Sequence, residues 1–154
     1  MAKEDKTSTF VENIMSILSN LPTGLRNPIV KNRLQEFLSF DDDEKKVIIR
    51  DIFANYGKIN SDSLMKLIES WLSSLSELKT VQINSIFYHY LIEISLNPSL
   101  LHDFKSDFIN SISKILISFP EKKRKKLLYC FFETILNMPN PRFFINIIPS
   151  GLFI

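Results

Sequence analysis

Ser85, His89 and Glu93 recur at intervals of four residues in the stretch NSIFYHYLIEI, nominally a nucleophile, a base and an acid. At that spacing three side chains share one face of a helix, where a serine–histidine–carboxylate relay would have to be assembled. The three lie off the main apolar stripe of their segment, so we expect the face to be wet. No oxyanion hole accompanies them, and that feature usually supplies the largest catalytic contribution. A hydrogen-bonded surface ladder is the simpler reading, and we assign no catalytic residue.

Metal and thiol chemistry find little support. His89 and His102 are the only histidines. His102 and Asp103 offer two ligands but no third or fourth at a recognised spacing, so no metal or cofactor is expected. Cys130 comes after a basic run whose field favours a thiolate. It also shares an apolar stripe with Leu127 and Leu128 beside Phe131 and Phe132, which favours a buried, inert thiol. Gly24, Gly57 and Gly151 stand too far apart to form a phosphate-cradling loop. The expectation is a non-enzymatic protein.

Charge is the more informative property. Net charge is only +2 over 154 residues, but the charges are clumped. Asp41-Asp42-Asp43-Glu44 opens one segment, and Lys122-Lys123-Arg124-Lys125-Lys126 opens another. Acids in a first helical turn complement the positive helix end, whereas cations there oppose it. Local helix stability therefore accounts for the acids and not for the cations. Tyr88 and Tyr129 are the two aromatics that could stack beside cations on a wet face.

The elements that would position these groups are helices. Apolar residues recur at helical spacing nearly everywhere: Leu64, Leu67, Ile68, Trp71, Leu72 and Leu75, then Ile83, Ile86, Phe87, Tyr90, Leu91 and Ile94, then Phe104, Phe108, Ile112, Ile115 and Leu116. Asn27-Pro28, Asn97-Pro98 and Asn140-Pro141 each fit an asparagine cap with proline at the first helical position. Ser39 and Ser118 each precede an acid by three residues, as in a capping box. The spacing predicts eight helices, at about 9–20, 28–38, 40–56, 62–75, 77–96, 98–117, 119–137 and 141–148. Residues 1–8 are expected to be a flexible lead-in to a single all-α domain, 9–154.

Part of this pattern repeats. Ser39-Phe40 and Ser118-Phe119 lead, at identical spacing, into Ile48-Ile49-x-x-Ile52-Phe53 and Leu127-Leu128-x-x-Phe131-Phe132, an offset of 79 residues. Ile83-x-x-Ile86-Phe87-x-x-Tyr90 matches Ile49-x-x-Ile52-Phe53-x-x-Tyr56 at an offset of 34. The matches define two-helix units at about 38–75, 76–117 and 118–154, preceded by a weaker hairpin at 9–38. In its architecture this organisation resembles HEAT-type and armadillo-type helical-repeat proteins. The resemblance implies four antiparallel hairpins stacked as a short α-solenoid, each hairpin covering its neighbour's apolar stripe. A compact, non-repeating helical bundle is the alternative that the same stripes would build.

A helical-repeat architecture without chemistry points to a binding or scaffold module. Its expected contact residues are Lys122, Lys123, Arg124, Lys125, Lys126 and Arg142, together with Phe153 in the apolar tail FFINIIPSGLFI. The partner is expected to be another protein or a second copy. Weak, salt-sensitive nucleic-acid binding through the basic run is the alternative. No segment approaches the ~20 apolar residues of a membrane span, the first residues carry no signal-peptide core, and the single cysteine suits a reducing compartment, so cytoplasmic residence is expected.

Overall fold

The computed structural model describes the backbone of residues 2–97, 99 and 106–145 and the side chains of 11–97, 99 and 110–143. Its fold is all-α. Among the described residues eight helices succeed one another: α1 (Ala2–Asn20), α2 (Thr23–Ser39), α3 (Asp42–Asn55), α4 (Ser61–Ser76), α5 (Thr80–Leu96), α6 (Ser106–Ser118), α7 (Glu121–Leu136) and α8 (Pro141–Ile145). A 3₁₀ turn, Tyr56–Lys58, extends the end of α3. Among the described residues there is no strand. The expected Phe104, Phe108, His102, Asp103 and Phe153 side chains, the start of the helix placed at 98, and the tail beyond 145 lie outside the described residues.

The chain forms two compact units, Met1–Leu75 and Ser76–Ile154. In the first, α1 packs on α3 and α2. Val11, Met15 and Leu18 of α1, Val30, Leu34 and Phe37 of α2, Ile49 of α3 and Leu64, Leu72 and Leu75 of α4 are buried. Burial of each such side chain contributes about 1.5–3 kcal/mol. In the second unit α5 packs on α7, which also meets α6 and α8. Its core holds Ile83, Ile86, Phe87, Leu91 and Ile94 of α5, Leu116 of α6, and Leu127, Cys130 and Ile135 of α7. Phe87 meets Phe131 edge to face at 5.3 Å, an arrangement that suits the ring quadrupoles.

Unit one also holds a buried cation that the sequence does not advertise. Arg26 is only 3% exposed. Its Nε donates to Ser70 Oγ at 2.6 Å, one Nη to the Leu21 carbonyl at 2.6 Å and the other to Thr23 Oγ1 at 3.1 Å. Ser74 Oγ adds a bond to the Asn27 carbonyl. Polar side chains, and not only apolar ones, therefore fix α2 against α4.

Several helix ends differ from expectation. The first helix begins at Ala2, seven residues before the expected start. Pro28 is not a first-turn residue; α2 begins at Thr23 after Pro22, and Pro28 lies inside it. The bond that Pro28 cannot make would fall on the Gly24 carbonyl near the helix start, where both residues are exposed to solvent. The helix expected from 77 begins at Thr80, with Gln82 Oε1 accepting from the Lys79 N–H. Asn97 closes α5 through its N–H to the Glu93 carbonyl, and the helix start it was expected to cap lies outside the described residues.

The two repeated serines also act in the other direction. Ser39 Oγ donates back to the Glu36 carbonyl and Ser118 Oγ to the Ile115 carbonyl, each at 2.6 Å. The amides of Phe40 and Phe119 likewise donate back, to Phe37 and Leu116, at 3.2 Å each. The repeated Ser-Phe pair is a helix exit, not a helix start. A serine hydroxyl can satisfy a carbonyl behind it or an amide ahead of it. Here the orphan carbonyls win.

Candidate functional site

The basic run forms the opening turns of α7. Pro120 precedes it and offers no side-chain cap. Glu121 pairs with Lys125 one turn on, at 2.7 Å, and that hydrogen bond holds the Glu121 carboxyl below its usual range. Both groups are well exposed, so the pair contributes little to stability.

Two further cations serve the fold. Arg124 Nη1 donates to the Ile117 and Phe119 carbonyls at 3.3 and 3.5 Å, where α6 ends. Lys126 Nζ donates to the Ser76 and Leu78 carbonyls at 2.9 and 2.7 Å, in the connection leading into α5. Helix α7's own stability still does not account for Arg124 and Lys126, but the fold gives both a reason, in carbonyls outside α7, while Lys125 alone has a partner within the helix. Their partners are carbonyls up to 50 residues away in sequence and an acid opposite in sign. Lys122 is exposed and Lys123 half-buried, and neither has a hydrogen bond or ion pair to a described residue. Arg142 is exposed on α8. Phe153 lies outside the described residues.

Beside the cations is a surface that the sequence stripes leave unassigned. Val81 and Tyr88 of α5 are 79% and 43% exposed, and Tyr129 and Leu136 of α7 are 67% and 70% exposed. Their spacings place Val81, Asn84 and Tyr88 on one ridge of α5, and Lys122, Lys125, Tyr129, Glu133 and Leu136 on one ridge of α7. Asn84 Nδ2 donates to Glu133 Oε2 at 3.4 Å, so the two ridges meet. Lys126 reaches the residues just before α5, so the helices run side by side in the same direction. The result is a seam with cations at one end and four exposed apolar or aromatic side chains along it. The signal is present in the sequence as large side chains one or two residues off the core stripe, and so on another face of the helix.

The other candidates look different in three dimensions. Glu93 is 3% exposed and Ser85 and His89 are half-buried, so the Ser85–His89–Glu93 face is not the wet one expected. The reason is that α5 is buried on more than one side, with Glu93 next to Ile94 in the core. Cys130 is fully buried. Burial and the Glu133 carboxylate push its thiol up, outweighing Lys126. Among the described residues no group of three histidine, cysteine or acidic side chains is placed to hold a metal. A polar recess of about 170 Å³ in unit one is bordered by Glu12, Ser16, Asn60 and Lys58. Lys58 and Glu12, 3.5 Å apart, leave it wet. No helix among the described residues is long and apolar enough to cross a membrane.

Comparison with protein-family models, with curated proteins and with solved structures finds no match.

Proposed function

We propose that the chain is a non-enzymatic protein-binding module that docks an acidic partner at the opening turns of α7 and along the exposed ridge beyond them. One observation carries the reading: of the five clustered cations, Lys122 and Lys123 serve no described residue, yet both sit where a positive charge opposes the helix dipole. An arrangement that works against its own helix is accounted for by an external negative charge. Tyr129 and Leu136 supply apolar area on the same ridge, and cations at its end set orientation and on-rate more than affinity. The scaffold reading, with its HEAT-like stacking, is supported by α1 packing on α3 and α5 on α7, since stacked hairpins need helices two apart to meet.

A second reading has one observation in its favour. Tyr88 and Tyr129 are both exposed on the seam that the cations open, as base-stacking residues would be. Val81 and Leu136 on the same seam offer nothing to a base, and the basic run is short. Titrating the protein with a fluorescent ten-residue polyglutamate and with a ten-residue oligothymidylate, at low and high salt, separates the readings. Protein docking predicts salt-sensitive polyglutamate binding that Lys122→Glu with Lys123→Glu abolishes. Oligothymidylate binding without polyglutamate binding favours nucleic acid, and binding of neither refutes the basic end as a docking surface.

A further inference from the structure

We propose that the partner of the α7 ridge is α3 of a second copy of this chain. The inference rests on the protein-docking reading above and names its partner. It begins with the exposed ridge of α3: Asp43, Val47, Arg50 and Ala54 are all exposed and succeed one another at intervals of four, three and four residues. The exposed ridge of α7 is Lys125, Tyr129, Glu133 and Leu136, at intervals of four, four and three, with Glu133 the least exposed. Both ridges run over eleven residue steps, about 16 Å of helix.

Laid side by side in the same direction, the two ridges match in type at every step. Asp43 meets Lys125, Val47 meets Tyr129, Arg50 meets Glu133, and Ala54 meets Leu136. The opposite orientation sets Asp43 on Leu136 and Val47 on Glu133, burying charge against apolar groups, which is costly. Complementarity therefore selects one orientation. The acid-rich start of α3 and the cation-rich start of α7 then lie together, and Lys122 gains a counter-charge that its own helix does not provide. The units that carry these ridges differ in the same sense: residues 1–75 hold ten basic against eleven acidic side chains, and residues 76–154 hold nine against six.

The two patches are different surfaces, so the contact is heterologous. It joins copies head to tail unless two such contacts close reciprocally. Exposed ion pairs contribute little each and are screened by salt, so the association is weak and electrostatically steered.

Sedimentation equilibrium of the purified full chain tests this. At high micromolar concentration and low salt, the weight-average mass should rise above the 17.9 kDa monomer. It should fall back toward that value in 0.5 M salt, where the Debye length is about 4 Å. Two variants with matched folds, checked by circular dichroism, sharpen the test. Asp42→Lys with Asp43→Lys, and Lys122→Glu with Lys125→Glu, should each be monomeric alone. Their equimolar mixture should associate again, because each then carries the charge that the other lacks. Should a reversal disturb folding, serine replacements at the same positions give the loss-of-association arm.

A monomer at all concentrations in low salt overturns the proposal, as does a mixture that fails to recover association. Polyglutamate binding by a strictly monomeric wild type would leave the docking surface standing while removing the second copy as its partner.

Discussion

The openings of α3 and α7 stand 79 residues apart and share their backbone bonding, yet they carry opposite charge. Lys45 N–H donates to the Asp41 carbonyl, and Arg124 N–H donates to the Pro120 carbonyl, at 3.0 Å in both cases. At α3 the Asp41 carboxylate also accepts from the Glu44 N–H at 2.8 Å, and Asp42, Asp43 and Glu44 complement the helix end. At α7 no side chain caps the helix, and five cations come after one acid. The same connection is thus built once with its electrostatics satisfied locally and once with them satisfied elsewhere. The difference teaches where to look for a partner: the end whose charges its own helix does not explain.

Cations buried for the fold must be told apart from cations exposed for contact, and mutation does so. The largest effect is expected in unit one. Arg26→Ala removes three hydrogen bonds from a buried guanidinium and leaves the groups it served unpaired, a loss of about 2–4 kcal/mol. Urea denaturation should show the midpoint falling without a change in slope. Lys126→Met comes next, at about 1–2 kcal/mol, since its two carbonyl bonds are part-buried and the stem's packing is kept. Lys122→Met should leave the midpoint within about 0.5 kcal/mol, as an exposed side chain without such bonds. Equal losses for Lys126 and Lys122 would erase the distinction between structural and free cations.

How far this is legible in the sequence depends on the range of the interactions. The helices show themselves through local periodicity: the stripe from Ile83 to Ile94 names the buried face of α5, and Leu127 with Cys130 names that of α7. Ser39 and Ser118 mislead as helix starts because a hydroxyl bonds forward or backward with equal chemical ease. Pro28 misleads because proline's preference for the first turn is a tendency, which an exposed second turn relaxes. The bond from Arg26 to Ser70 and those from Lys126 to Ser76 and Leu78 span more than 40 residues, and no local pattern encodes them. Lys122 and Lys123 stand out in the sequence only as members of a run of five, and the structure separates them from their three neighbours.

A smaller effect separates the caps. Asp41→Ala should cost about 1 kcal/mol by orphaning the Glu44 amide. Ser39→Ala and Ser118→Ala should resemble each other instead, since each loses one exposed bond to a carbonyl three residues back, about 0.5 kcal/mol. Thermal melts of the three variants would show whether the paired serines behave as one repeated device. A Ser39 loss matching that of Asp41 would restore it as a cap of α3.

The last expected change has an unusual sign. Lys122→Glu with Lys123→Glu replaces two cations that oppose the α7 dipole by two acids that complement it, as Asp42 and Asp43 do at α3. The gain should be a few tenths of a kcal/mol for each residue at low salt, and it should shrink as salt screens it. Melting temperature should therefore rise slightly at low ionic strength and match the wild type in 1 M salt, while polyglutamate binding is lost. Stability and binding would then move in opposite directions on the same two side chains, as expected where cations are kept for a partner rather than for the helix. A fall in melting temperature with binding intact would show instead that Lys122 and Lys123 belong to the fold, and the contrast with α3 would then be one of composition alone.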